Sequence, residues 1–434
     1  MDGGRSGESG PDTDRLYARI TWRLIPFLFL CYLCAYLDRV NIGFAKLQMS
    51  DALGFSDTVY GLGAGIFFIG YFLFEVPSNL LLHRIGARRC ISRIMVLWGL
   101  ISASMAWVDD ATTFYVLRFL LGVAEAGFFP GVILYLTYWY PAARRGQVTA
   151  LFVTAVAISS VIGAPLSGWI MQELHAVHGL AGWQWLFLLE GLPSVGVGVC
   201  AYFYLEDRVE DARWLTDEER ATASAALAHE RGAVSRHRAW EGLSAPRVWL
   251  LCLVYFSFVL GLYGLNFWLP TMISELGFQG YFRIGLVSAI PFGVASVAMV
   301  LVARRADRQR ERRWHIAIPA LLGAAGLVTS VALADQPVLA IVALTVGTCG
   351  IFTAIPQTWS LATTFLAGSA AAAGIAFINS VGNLSGFVAP YAMGALKEAT
   401  GGTGLGIVLI AGFQVLGAAL VLGLRRDAAF RPDP

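Results

Sequence analysis

Charge is what this chain has least of. Only 14% of its 434 residues are Asp, Glu, Lys or Arg, against 57% hydrophobic, whereas an ordinary soluble chain carries about 25% charged and about 45 to 50% apolar residues. That scarcity excludes a soluble globular domain and leaves a polytopic membrane protein. The net charge of +2 offers no basic excess, so no nucleic-acid partner is expected. The six histidines never pair within an apolar run, and His175 and His178 lie in a loop, so no nucleophile or metal constellation supports an enzyme. The six cysteines, Cys31, Cys34, Cys90, Cys200, Cys252 and Cys349, sit in or beside apolar runs, which argues against a disulfide framework. The Cys31-x-x-Cys34 pair has no second ligand pair, so neither a metal nor a bound cofactor is expected. Residues 1–23 are polar and hold Arg5, Arg15, Arg19 and Arg23. They lack a short apolar core ending at a small-residue cleavage site, and no removable signal peptide is expected.

Long apolar runs, by contrast, are plentiful. A membrane span needs about 20 mostly apolar residues, and twelve such runs are present: 24–46, 58–80, 90–108, 113–137, 147–171, 183–205, 247–270, 284–303, 315–334, 337–361, 371–396 and 404–424. The only long polar insertion follows the sixth. The expected order is a tail (1–23), six spans (24–205), a linker (206–246), six more spans (247–424) and a second tail (425–434). Glycine, at 47 residues, suits helices that pack closely through small side chains. Of the 31 lysines and arginines, all but Arg39, Lys46, Arg118, Arg283 and Lys397 fall on or beside the tails, the linker and the even-numbered loops. Cytoplasmic loops hold such an excess, so both termini and the linker are expected in the cytoplasm of a cell whose inner membrane the chain spans.

A weak internal repeat points to two matched halves: "NLLLHRIGARR" (Asn79 to Arg89) follows span 2 and "ARRADRQRERR" (Ala303 to Arg313) follows span 8. With twelve spans and the long central loop, these turns resemble the major facilitator superfamily, whose turn reads G-x-x-x-D-R-x-G-R-R. The chain departs from it at Asn79, His83 and Arg310. Longer runs are similar to the anion:cation symporters of that superfamily: "AYLDRVNIG", "LRFLLGVAEAGFFPGVILYLTYWYP", "GWQWLFLLEGLP", "EDARWLTDEER", "GLNFWLPTMI" and "AAGIAFINSVGNLSGFVAPY". The resemblance implies an all-α membrane protein of two pseudo-symmetric six-helix bundles. It implies transport of a carboxylate such as tartrate, phthalate or a sugar acid, and a turn role for Arg84, Gly86, Arg88, Asp307 and Arg308.

The exceptions to the charge scarcity carry the chemistry. An ionisable residue at mid-membrane costs about 2.5 to 3.5 kcal/mol and persists where it is paired or lines a wet cavity. Span 1 holds Asp38 and Arg39, and span 4 holds Arg118 and Glu125; the second half has no charge in any span core. Neighbouring helical residues point about 100° apart, so Asp38 and Arg39 cannot share one cavity in the same way. Arginine offers a planar fork that matches a carboxylate, which makes Arg39 and Arg118 the anion-binding candidates. A buried carboxylate can take a proton near neutrality and then cease to compete for arginine. That reading, and the resemblance, put proton coupling on Asp38 and Glu125, with the proton gradient as the only coupling agent. Glu75 and Glu190 are expected to be structural partners of loop arginines.

Neutral contacts are expected from Tyr36, Tyr71, Tyr263, Asn266, Gln357, Ser360, Asn379 and Asn383, because selecting among hydroxylated acids needs hydrogen-bonding groups aimed into a cavity. For Asn379 and Asn383, interhelical hydrogen bonding is the competing reading, and for the tyrosines it is aromatic packing. Pro130, Pro165, Pro270, Pro356 and Pro390 permit bending. In the linker, Thr216 and Glu219 have the spacing of a capping box and predict a helix start. The partners expected are a small organic anion, protons and the bilayer, and the chain is expected to act as a monomer. The competing function is a proton-coupled drug exporter, which would place acids in an apolar cavity without two arginines.

Overall fold

The structure, a computed structural model, describes residues 11–231, 246–309, 311–365 and 369–424. The C-terminal tail, Arg5, the linker residues 232–245 and Arg310 lie outside the described residues. Span 1 is α1 (Pro11–Val40) followed by α2 (Ile42–Leu53), and spans 2 and 3 are α3 (Asp57–Ile85) and α4 (Ala87–Ser104). Span 4 is α5 (Ala111–Glu125) followed by α6 (Phe128–Thr137), and spans 5 and 6 are α7 (Ala142–Glu173) and α8 (Gly182–Tyr204). The linker forms α9 (Asp217–Arg231). Spans 7 to 10 are α10 (Pro246–Glu275), α11 (Tyr281–Gln309), α12 (Arg313–Ala332) and α13 (Pro337–Phe365). Span 11 is α14 (Ser369–Asn383) followed by α15 (Ser385–Thr400), and span 12 is α16 (Gly404–Gly423). Among the described residues, eleven segments are long and apolar enough to cross a membrane. Span 11 completes the twelve, divided at Leu384 into two helices of 15 and 16 residues.

Two features depart from the sequence reading. The first helix begins at Pro11 rather than near residue 24, because Leu16, Tyr17 and Ile20 give the supposed tail a buried face. The helices of spans 1, 4 and 11 are interrupted, at Asn41, at Ala126–Gly127 and at Leu384. The second break has a clear cause: Gly127 has φ 87°, a left-handed conformation that costs other residues about 1–2 kcal/mol. Each break lies within three residues of a proposed site residue, Arg39, Glu125 or Asn383.

The burial pattern inverts that of a soluble protein. Leu73, Val76 and Leu80 on α3, and Val294, Val297 and Leu301 on α11, face outward, while Asp38, Arg118, Glu125 and Gln357 are buried. Lipid is a suitable solvent for the first set, and helical backbone satisfies its own hydrogen bonds there. The two halves meet along two seams of close backbone approach. On α7 and α11, a Cβ on Gly168 would stand 2.3 Å from the Tyr281 carbonyl oxygen, and one on Gly285 2.3 Å from that of Ala164. On α3 and α15, one on Gly61 would stand 2.4 Å from the Pro390 oxygen, and one on Gly394 2.3 Å from that of Asp57.

Candidate functional site

Asp38 and Arg39 point to different places, as their angular offset requires. Asp38, on α1, turns into the interior of the first half. Its carboxylate accepts hydrogen bonds from Trp98 Nε1 (2.9 Å) and Ser102 Oγ (2.8 Å) of α4, and from Ser194 Oγ (2.7 Å) of α8. Among the described residues, three donors and no cation hold it. Arg39 turns toward the boundary between the halves. Its Nε donates to Glu125 Oε1 (3.1 Å), its Nη2 donates to the same oxygen, and its Nη1 approaches Tyr263 Oη (3.4 Å) of α10. The guanidinium also lies 5.6 Å and 5.5 Å from the Phe67 and Tyr71 rings, within range of cation–π attraction.

Around this ion pair the second half supplies neutral groups. Tyr263 Oη donates to Asn383 Oδ1 (3.2 Å), beside the break in span 11, and Asn266 Nδ2 donates to Tyr36 Oη (3.0 Å). Arg39, Glu125, Tyr36, Tyr71, Tyr263, Asn266 and Asn383 therefore form one cluster built from both halves. A small, mostly apolar cavity of about 20 Å³ adjoins it, with Asn41, Ser160, Ser167, Asn266 and Ser288 as the polar part of its lining.

Arg118 is not in that cluster. Although it lies on the same helix as Glu125, it does not meet it: Nε donates to the Gly63 carbonyl and Nη2 to that of Ala64, both at 3.2 Å, on α3. The side chain is fully buried, its Nη1 has no hydrogen-bond partner, and its guanidinium lies 5.2 Å from the Phe67 ring. The reason is packing. A Cβ on Gly122 would stand 1.9 Å from the Phe67 carbonyl oxygen, so α3 and α5 lie too close to leave Arg118 an open face.

Gln357 also goes elsewhere, accepting a hydrogen bond from Arg312 Nη1 (3.1 Å) at the α11–α12 turn. Ser360 is half-buried one turn further along α13. Asn379 leaves the tyrosine cluster for Glu75: Asn379 Nδ2 donates to Glu75 Oε1 (3.5 Å) and Ser380 Oγ to Oε2 (3.1 Å). The expectation that Glu75 and Glu190 pair with loop arginines is overturned. Glu75 bridges α3 to α14, and Glu190 accepts a hydrogen bond from Ser167 Oγ (2.7 Å) with no cation beside it among the described residues.

The model of the Major Facilitator Superfamily matches residues 28–390. The chain belongs to the Major Facilitator Superfamily. Its curated relatives include a "Putative tartrate transporter" of Agrobacterium vitis, 50% identical, with 97% of this chain and 94% of that one covered. Others are a quinolone resistance transporter of Acinetobacter baumannii, 42% identical over 92% and 93%, and the inner membrane transport protein RhmT of Escherichia coli, 39% identical over 93% and 94%. Among solved structures, a bacterial homologue of the human lysosomal transporter Spinster superposes with a TM-score of 0.76 at 15% identity, covering 92% of this chain and 95% of the other. The D-xylose-proton symporter does so with 0.75 at 14%, over 93% and 97%. Both show the same fold. This facilitator is thus a multi-pass membrane transporter of a small molecule and not an enzyme.

The superfamily turns are built differently in the two halves. Gly86, at φ 88°, joins α3 to α4, and the Arg88 backbone N–H donates to Asp207 Oδ1 (2.9 Å) at the start of the linker. Arg88 also lies 5.0 Å from the Tyr202 ring, while Arg84 is exposed. In the second copy Asp307 pairs with Arg312, and Arg308 is exposed.

One further constellation was missed from the sequence. At the end of the bundle where α2 finishes and α3 begins, Asp57 binds both Lys46 Nζ (2.7 Å) and Lys397 Nζ (2.8 Å), and Lys397 also reaches Glu275 (3.5 Å). Lys46 and Asp57 belong to the first half, Glu275 and Lys397 to the second. The available signal was that Lys46 and Lys397 lie in odd-numbered loops, against the charge bias.

Proposed function

We propose that this facilitator carries a small organic anion, a tartrate-like hydroxy acid, a sugar acid or an aromatic carboxylate, into the cell together with protons. The observation that carries the reading is the Arg39–Glu125 ion pair at the boundary between the halves, next to Tyr263. Arg39 is the group best suited to grip a carboxylate, and in this conformation an internal carboxylate occupies it. Protonating Glu125 removes its charge and frees the guanidinium for a substrate anion; losing the proton restores the internal pair and expels the substrate. The Tyr36–Asn266 and Tyr263–Asn383 pairs supply the directional contacts that distinguish hydroxyl patterns. The Agrobacterium relative named for tartrate supports this substrate class.

Charge arithmetic favours coupling. Each elementary charge crossing the membrane is worth about 2.3 kcal/mol per 100 mV, and an inside-negative potential opposes anion entry. Two protons, on Asp38 and Glu125, make entry of a monoanion electrically favourable and entry of a dianion neutral. If the termini face the cytoplasm, the Asp57 network and the glycine seams close the outer side, and Glu75 with Asn379 and Ser380 lies toward the inner one. That arrangement fits alternating access by rocking of two halves.

A thermal-shift screen of the purified protein against tartrate, galactonate, phthalate and a quinolone tests the substrate class, since a ligand of the folded state raises its stability. Stabilisation by a hydroxy acid or aromatic acid is the expected result. Stabilisation by the quinolone alone overturns the anion reading in favour of drug export, the competing reading; the Acinetobacter relative is named for quinolone resistance.

A further inference from the structure

The transport reading uses Asp38 and Glu125 and leaves a third buried acid idle. Glu190, on α8, is 4% exposed. Its Oε1 accepts from Ser167 Oγ (2.7 Å), but its Oε2 has no hydrogen-bond partner. A buried carboxylate with an empty oxygen and no cation is costly as an anion. Unlike Glu125, it has no arginine beside it among the described residues to offset that cost.

Glu190 has a hydroxyl and an amide neighbour on one side and a close helix contact on the other. On the α4 side the helices nearly touch: a Cβ on Gly191 would stand 2.8 Å from the Ala103 backbone nitrogen, and one on Gly99 2.8 Å from the Gly191 carbonyl oxygen. On the α7 side stands Ser167, which lines the inter-half cavity of about 20 Å³, room for about one water. Asn41, in the break between α1 and α2, lines the same cavity; it is 1% exposed, and neither its Nδ2 nor its Oδ1 has a hydrogen-bond partner. The Asn41 amide is near enough to Glu190 to interact with its carboxyl group, which links the acid to the cavity wall.

The charged and titratable groups facing Glu190 are few. From α1 come Asp38 and the thiol of Cys34. From α7 comes Ser167, and from the α1–α2 break Asn41. From α4 come only Trp98 and Ser102, both spent on Asp38. The one cation on α2, Lys46, is engaged by Asp57. Ser194, which donates to Asp38, lies four residues after Glu190 on the same face of α8. The two carboxylates thus interact within the first half with no neutralising cation beside them among the described residues, and a second negative charge there is dearer than the first.

We propose that Glu190 is a third protonation site of the transporter, exchanging its proton with the inter-half cavity past Ser167 and Asn41 and sharing a single negative charge with Asp38. Asp38 makes no hydrogen bond to the Arg39 cluster among the described residues and feels Glu125 only through space; Glu190 gives it a second route by which its charge state answers to the cavity. No bond other than O–H changes. The proton leaving Glu190 passes to cavity water, and the charge left on Glu190 favours the protonated form of Asp38.

The decisive experiment needs no substrate, so its failure and the failure of the transport reading are separable; only its last arm rests on that reading. Infrared difference spectra of the purified protein in lipid, taken on pH steps, report protonated carboxyl groups. Glu190→Gln is expected to remove one titrating carboxyl band and to move the titration of the Asp38 band, identified with Asp38→Asn, by about one pH unit or more. Glu190→Asp is expected to restore a band and serves as the folding control. A Glu190→Gln spectrum that titrates as the wild type does overturns the proposal, and so does an unmoved Asp38 band. A titration that shifts with sodium but not with potassium assigns the site to a metal cation instead, which also overturns it. In proteoliposomes, Glu190→Gln is expected to displace the pH profile of labelled tartrate uptake; an unchanged profile in a variant whose band is lost overturns the link to coupling.

Discussion

At the scale of the residue, the two charges of "AYLDRVNIG" separate into two tasks because a helix turns about 100° per residue. Asp38 is solvated by three neutral donors within the first half, and Arg39 faces the second half. Removing one partner of a buried ion pair leaves an unpaired charge and costs about 3–5 kcal/mol. Glu125→Leu is therefore expected to lower the melting temperature, and Arg39→Leu,Glu125→Leu together to lower it less than Glu125→Leu alone. Arg118 tells a different story. Its hydrogen bonds to the Gly63 and Ala64 carbonyls make it a clamp between α5 and α3, so Arg118→Met is expected to destabilise the protein by about 2–4 kcal/mol in chemical unfolding. A melting curve unchanged in Arg118→Met contradicts that role. The sequence made these four charges visible because lipid tolerates so few. It did not show which acid meets which arginine, since seven-residue spacing on one helix says nothing of a neighbouring helix that packs within van der Waals contact.

At the scale of the element, the twelve spans were legible from apolar length, and the capping box at the linker start formed as its spacing suggests. The Thr216 backbone N–H donates to Glu219 Oε2 (2.8 Å), and the Glu219 N–H to Thr216 Oγ1 (3.2 Å). Arg19 on α1 adds a bond to Glu219 at 3.1 Å and one to the Trp214 carbonyl at 2.9 Å. The Thr216 N–H, and with it Arg19, holds the exposed Glu219 carboxyl below the usual carboxylate range. A lowered folded value stabilises the docked helix above the unfolded pKa of about 4.3, and that contribution is lost as pH falls through the lower folded value. Limited proteolysis of the linker is expected to quicken only at such acid pH, and equally fast cleavage at neutral pH contradicts the docking. The breaks at Asn41, Gly127 and Leu384 were not legible, because apolar length carries no record of where a helix is interrupted. Only Gly127 has a conformational signature, and one glycine among 47 does not announce itself.

At the scale of the whole molecule, the seams Gly168–Tyr281 and Gly285–Ala164 are reciprocal across α7 and α11, as Gly61–Pro390 and Gly394–Asp57 are across α3 and α15. Such pairing lets two halves close flush, with the Asp57 bridges to Lys46 and Lys397 fastening the same end. Gly285→Leu is expected to hold that end open, and a cysteine at position 390 would then react with a membrane-impermeant maleimide severalfold faster than in the Pro390→Cys background alone. Equal labelling in both backgrounds contradicts the seam as a gate. Pro390→Cys itself must first retain the wild-type melting temperature for this comparison to stand. In the proposed cycle Arg39 is the grip for substrate and Glu125 its competitor. Uptake of labelled tartrate into proteoliposomes under an imposed proton gradient tests both. The account predicts that Arg39→Lys abolishes uptake and counterflow alike, and that Glu125→Gln loses gradient-driven accumulation while keeping counterflow; wild-type uptake in Arg39→Lys would contradict it.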